Sequence, residues 1–345
     1  YNQYMNLYGY ISNQTTISKV YLINRFLFGL KFYIPIWLLF YLNYINISQV
    51  GIIESLGFII GMLLEVPTGA FADIIGRRNS LIIGKIGIAI SMVIAVIFNA
   101  AIPFVIGIML SNIMWSFVSG SESALVYDDL KYNNRESEYA KLSSIGNTIF
   151  RISIIIASFL GGFLYNLWIG LPIFILAITS LLEAIFWFFT KEPPLDSEKF
   201  SIQGFINTIS QGIKQVFKSK TTIYYTLITS VLFAFVLVSG DYFNFNLAID
   251  LGLDANDQSI LYGITAIIKT FTVIGIGYVL IKKSSNYILN VMYLIYILAF
   301  IPMIFTNNIT GLILLVIIDI FSSTMPIIFD NVLHNQFESK TRATA

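Results

Sequence analysis

Of 345 residues, 57% are hydrophobic and 11% are charged, with a mean hydropathy of +0.79. A soluble domain carries about 25% charged residues, so a water-soluble globular fold is excluded. The net charge of +1, spread without an acidic or basic tail, points to no nucleic-acid partner; zero Cys excludes disulfides and thiolate metal sites, and the single His334 excludes a histidine cluster.

A helix needs about 20 apolar residues to cross about 30 Å of hydrocarbon. On that measure the chain predicts spans at 21–41, 50–72, 80–99, 104–130, 138–165, 171–190, 222–247, 258–281, 286–306 and 310–333. The first apolar run is long enough to span and is followed by more spans, so it does not read as a cleavable signal peptide. Connections on one side are very short, which predicts antiparallel neighbours. The fifteen Lys and Arg residues in the connections all lie in 1–20, 76–79, 131–141, 191–222, 282–285 and 340–342. The alternate connections at 42–50, 99–103, 166–171, 247–258 and 306–310 hold none. This is the positive-inside pattern. It predicts a multi-pass α-helical protein of the cytoplasmic membrane, with residues 1–20 as a cytoplasmic N-terminal segment and the lipid bilayer as its first partner.

The long connection at 191–221 opens with Lys191-Glu192-Pro193-Pro194, which stops the sixth span. Apolar residues at 202, 205, 206, 209, 213, 216 and 217 then share one helical face. They predict an amphipathic helix along the inner membrane surface, with Lys214 and Lys218 near anionic headgroups; a partly ordered linker is the plainer alternative. The connector divides the chain into a six-helix bundle (21–190) and a four-span remainder (222–345). The remainder echoes the first part: Lys282-Lys283 stands where Arg77-Arg78 does, Asp330 where Asp128 does, and Glu338-Ser339 where Glu136-Ser137 does. Two six-span repeats would require two further helices beyond Ala345. Parallel repeats of this kind are one plan of secondary transporters.

The most specific local signal is Glu65-Val66-Pro67-Thr68-Gly69-Ala70-Phe71-Ala72-Asp73-Ile74-Ile75-Gly76-Arg77-Arg78. It resembles the signature loop of the major facilitator superfamily, G-x-L-A-D-x-x-G-R-R/K, in the connection where that family places it. Gly69, Ala72, Asp73, Gly76, Arg77 and Arg78 match; Phe71 replaces Leu. The chemistry suits a conformational gate. Gly69 and Gly76 permit close helix approach and a tight turn, Asp73 can accept from the free N–H groups of a helix N-terminus, and Arg77 can clamp Asp128 or Asp129. The resemblance implies that Asp73 faces an eleventh helix. The reading in which Arg77 and Arg78 serve only topology leaves Asp73 and the glycines without a role. Gly161-Gly162 in the fifth span looks like the end of an antiporter motif whose Gly-Pro is lost, and these two glycines are candidates for close helix packing.

Charges within spans are costly and need a partner or water. Arg25, Lys85 and Glu54 lie near span ends and are expected to reach the interface. Glu122 and Arg151 are expected to form a cavity ion pair, with Glu122 exchanging the coupling proton; a static pair that only positions helices is the alternative. Glu65 and Glu183 are further candidates. In the second part, Lys269 is expected to pair with Asp319 or Asp241. Among the aromatics, Tyr33, Trp37, Phe40 and Tyr41 suit an interface belt, and Trp115, Phe150, Phe243 and Phe245 suit either lipid or a cavity wall.

The resemblance implies an all-α major facilitator fold with a cavity between two six-helix bundles, the last two helices missing here, acting by alternating access. No nucleotide-binding loop of the form G-x-x-x-x-G-K-S/T occurs, so energy is expected from an ion gradient. The signature residues with Gly161-Gly162 look most like bacterial drug:proton antiporters. The expectation is a monomeric carrier moving a small organic solute against protons, with no cofactor, no metal and no enzymatic activity. A nutrient symporter and a non-transporting, sensor-like member are the alternatives.

Overall fold

The computed structural model describes residues 7–194, 242–282 and 309–324, with isolated positions at Ser210, Phe217, Ile223, Leu227, Val231, Tyr287, Asn290, Val291 and Leu294. Among the described residues every regular element is helical. The chain divides into two compact units, Tyr1–Phe200 and Ser201–Ala345.

Unit 1 contains nine α-helices among its described residues: α1 Leu7–Ser12, α2 Thr16–Gly29, α3 Trp37–Leu42, α4 Ile47–Ile75, α5 Arg77–Ile97, α6 Ala101–Val118, α7 Ser121–Tyr132, α8 Tyr139–Leu167 and α9 Leu171–Phe188. By length and hydropathy they make six membrane spans, because α2 with α3 and α6 with α7 each form one interrupted crossing. The side-chain oxygen of Thr15 caps α2. Asn46 and Gln49 form a reciprocal capping box at the start of α4. Pro172 opens α9, where its missing N–H costs nothing.

Two spans expected to be continuous are broken. The first, expected at 21–41, begins earlier and stops at Gly29; a 3-10 turn over Ile34–Ile36 follows, and α3 completes the crossing. Pro35 lacks the N–H that would continue the ladder. The fourth, expected at 104–130, breaks at Ser119-Gly120, where Gly120 takes a φ of 75°. The other spans of this unit match their expected ranges within about three residues.

Helix α5 is the centre of the unit, packed between α6 and α9. Small residues let the helices approach closely. A Cβ at Gly107 of α6 would lie 2.8 Å from the backbone nitrogen of Ala95 on α5, and one at Gly29 of α2 would lie 2.8 Å from the carbonyl oxygen of Phe150 on α8. At Gly161 a Cβ would meet Pro35 Cγ at 2.6 Å, so α8 packs against the break in the first span. Gly162 is also buried on α8. Phe40 and Tyr41 are buried rather than lipid-facing. Their rings form T-shaped contacts with Phe104, at 5.7 and 4.9 Å between centroids. Outward surfaces of the spans carry Ile, Leu and Phe, as a lipid solvent requires.

Unit 2 shows α10 Asn244–Asp250, α11 Ala255–Lys282 and α12 Ile309–Ser322 among its described residues. Helix α11 coincides with the eighth expected span within three residues at either end, and α10 and α11 each pack on α12. Gly252, at φ 75°, supplies the left-handed turn between α10 and α11. All of the amphipathic face expected at 202–217 except Phe217, most of the seventh and ninth spans, and Asp241 lie outside the described residues.

Candidate functional site

Three charged clusters arise from this packing. The first lies at the α4–α5 corner. Gly76 ends α4 with a φ of 98°, and Arg77 begins α5 at once. The Arg77 guanidinium pairs with Asp128 of α7 and lies 3.9 Å from Asp73. Arg78 turns the other way: its Nε donates to the Trp187 carbonyl at 3.1 Å and its Nη2 to the Phe188 carbonyl at 2.5 Å, capping the end of α9. Ala72 is buried, as a tight corner requires. Asp129, the alternative partner for Arg77, accepts instead from the Thr15 hydroxyl and ties α7 to the start of α2. Gly69 is exposed and has no described atom within 4 Å of where a Cβ would sit, so it makes no close helix approach within this unit.

Glu192 completes the corner. Its carboxylate accepts from the Arg77 backbone N–H at 2.5 Å, at the N-terminus of α5. The sequence marked this position only as part of a helix stop. The sole hint was a carboxylate beside Pro193, and only the α5–α9 packing brings it to Gly76. Burial holds the Glu192 carboxyl above its ordinary value of 4.5, opposed by the N–H groups and charges of Arg77 and Arg78. A raised folded-state value means that the folded protein binds this proton more tightly than the unfolded chain. Its contribution is therefore full below pH 4.5 and is lost as pH rises through the folded value. Wild type and Glu192→Gln should melt alike near pH 4.5, and wild type should fall below the variant as pH is raised from there; parallel curves would show that Glu192 does not titrate in that window.

The second cluster is buried within unit 1. Lys85 of α5 and Glu183 of α9 form an ion pair whose side chains are 3% and 1% exposed. The expectation that Lys85 snorkels is wrong, because α5 is the central helix and offers no path to the interface. Arg25 of α2 also stays inside. Its Nη1 lies 3.6 Å from Glu122 Oε2, its Nη2 donates to Asn147 at 2.9 Å, and its guanidinium lies 5.0 Å from the Phe150 ring centre. Glu122 thus pairs with Arg25 rather than with Arg151. The break at Gly120 re-aims the first turn of α7 toward α2, which depth along unbroken helices could not foresee. Arg151 is half-buried and makes no ion pair among the described residues. Glu65 is elsewhere, exposed on α4, and accepts from the Ser119 hydroxyl at 3.1 Å beside the same break. Glu54 is also on α4.

Aromatic rings line the buried charges. Phe28 stacks on Trp115 at 5.4 Å and 9°, and on Phe150 at 5.5 Å and 26°. Lys31, just after the α2 break, sits 3.8 Å from the Phe28 ring centre, and Lys85 sits 4.7 Å from it.

The third cluster is in unit 2. Lys269 of α11 lies 2.6 Å from Asp319 of α12 and 5.4 Å from the Tyr262 ring centre. A cavity of about 30 Å³, enough for one or two waters, is lined by Asn244, Phe245, Gln258, Tyr262, Thr265 and Asp319. Phe245 is buried there and stacks on Tyr262 at 5.9 Å, while Phe243 is exposed. Among the described residues no group of three or more His, Cys, Asp or Glu could hold a metal ion.

Six spans of unit 1, two of them interrupted, with charges paired in the interior and an Arg-carboxylate corner at one end, make a multi-pass helical membrane fold. The chain belongs to the Major Facilitator Superfamily, whose family model matches residues 20–345. It is 26% identical over 195 residues to an uncharacterized MFS-type transporter, YxaM of Bacillus subtilis (strain 168); the match covers 54% of this chain and 47% of that protein. The chain thus matches about half the length of this curated relative. The crystal structure of the nucleoside transporter NupG superimposes with a TM-score of 0.72 at 16% identity, over 95% of this chain and 84% of that one. A bacterial homolog of the human lysosomal transporter Spinster, inward-facing and unoccupied, gives 0.70 at 16% identity, over 99% and 78%. A D-xylose-proton symporter gives 0.64 at 17% identity, over 95% and 84%. These likenesses establish the fold, that of a multi-pass α-helical membrane protein.

Proposed function

We propose that this chain forms a proton-coupled secondary transporter that exports a small organic solute from the cytoplasm by alternating access. It would act as a monomer in the cytoplasmic membrane, with its N-terminus inside. The Asp73–Arg77–Asp128 corner would latch one conformational state. Efflux rests on the resemblance to drug:proton antiporters.

The observation that carries proton coupling is a contrast between the two ion pairs of unit 1. Lys85–Glu183 is sealed and close, which suits a structural pin. Arg25–Glu122 is looser, at 3.6 Å, and its side chains are 17% and 20% exposed. Water can reach Glu122, and Arg25 has Asn147 and the Phe150 face to fall back on when the carboxylate takes a proton. A carboxylate that alternates between a cation and water changes its proton affinity, which is what coupling requires.

The test is flux in proteoliposomes holding the full-length protein, under an imposed pH gradient. Wild type should drive a solute uphill. Glu122→Gln should retain downhill exchange but lose at least about tenfold of the gradient-driven accumulation, the effect of an interaction worth one charge-assisted hydrogen bond. Undiminished proton-driven accumulation by Glu122→Gln would remove Glu122 as the carrier. No flux with wild type would leave a non-transporting member.

A further inference from the structure

The buried cluster of unit 1 holds a cation with no carboxylate at ion-pair distance among the described residues. Lys31 is half-buried and makes no ion pair or side-chain hydrogen bond among the described residues. Its ammonium lies 3.8 Å from the centre of the Phe28 ring and 5.9 Å from that of Trp115. The Lys85 charge is met by Glu183 and the Arg25 charge by Glu122. Three cations therefore face two carboxylates, and one positive charge is left over. A ring face offsets only part of the cost of holding a cation in a low-dielectric interior, and an anionic solute beside Lys31 would offset more of it.

The surface beside Lys31 is flat and apolar. Phe28 and Trp115 lie nearly parallel, at 9°, and Trp115 is 43% exposed. A cation held beside a partly exposed aromatic pair is complementary to a molecule with a negative group joined to a planar apolar body. A cationic solute would meet the uncompensated charge instead, and like charges repel strongly where water is scarce.

We infer that Lys31 and the Phe28–Trp115 shelf bind an organic anion with a flat apolar group, such as an aromatic carboxylate, and that this is the solute class the site accepts. The inference rests on reading this face of unit 1 as the one that meets solute.

The experiment measures binding to the purified full-length protein by three probes of one size: 1-naphthoate, 1-naphthylmethylammonium and 1-naphthylmethanol. The carboxylate should bind at least about tenfold more tightly than either of the others, the worth of one charge-assisted contact. Lys31→Gln should erase that preference while keeping the neutral alcohol's affinity, and Lys31→Arg should restore it. Retained alcohol binding separates a lost charge from a misfolded variant. Equal or tighter binding of the ammonium, binding of none of the three, or an unchanged preference in Lys31→Gln would overturn the assignment. Proton-driven flux without carboxylate preference would overturn this inference alone. Carboxylate preference without proton-driven flux would overturn the transport reading and leave the site standing.

Discussion

Lys85→Met is expected to lower the stability of the protein by about 3–5 kcal/mol, because it strands Glu183 without a counter-charge in a sealed interior. The pair sits between α5 and α9, at the centre of unit 1, and no water path relieves a lone carboxylate. The double variant Lys85→Met/Glu183→Leu should recover most of the loss, since a well-packed apolar pair dispenses with desolvation altogether. Thermal unfolding in detergent, followed alongside the yield of monodisperse protein, distinguishes the two. If single and double variants melt together, the pair is not an electrostatic unit and the loss is one of packing. Transport by a recovered double variant would confirm the pin as structural, which is the role its burial assigns.

Arg77→Ala should act differently. Arg77 and Asp128 are 23% and 22% exposed, and partly exposed pairs contribute about 1 kcal/mol or less to stability. The fold should therefore persist while transport falls at least about tenfold, because Asp128 and Asp73 lose the group that joins α4, α5 and α7 at one corner. Arg77→Lys should restore only part of the rate, since an ammonium cannot present a planar fork to two carboxylates. Transport rates normalised to folded, membrane-inserted protein decide the matter. A loss no larger than the loss of folded protein would reduce Arg77 to a topology residue.

Much of this could be read along the chain because a bilayer enforces simple rules. A stretch of apolar residues long enough to cross must be helical, since no water is present to satisfy its backbone. That rule alone places α4, α5, α8, α9 and α11 within a few residues of where they are found. The signature corner was equally legible, because Asp73, Gly76, Arg77 and Asp128 act near where their own helices end. The choice between Asp128 and Asp129, the arrival of Glu192 and the open surroundings of Gly69 needed the structure. One turn of α7 points Asp128 at Arg77 and Asp129 at Thr15.

Partner choice in the interior was not legible. Glu122 meets Arg25 and not Arg151, and Lys85 meets Glu183 instead of the interface. Both outcomes depend on which helix faces which, and hydropathy carries no such information, because every face of a span is apolar. The break at Gly120 mattered most, because it leaves Glu122 in the first turn of α7, where it meets Arg25 of α2.

Composition and the placement of Lys and Arg were thus enough to settle that the chain is helical, membrane-spanning and folded from successive crossings, since insertion depends on local hydrophobicity and charge. Packing of α2, α5, α7 and α9 alone decided which buried charges neutralise one another, and so left Lys31 as the one cation of the unit 1 cluster without a carboxylate partner among the described residues. Ion pairing depends on distances of a few ångströms, and residues far apart in sequence acquire those only when the helices close on each other.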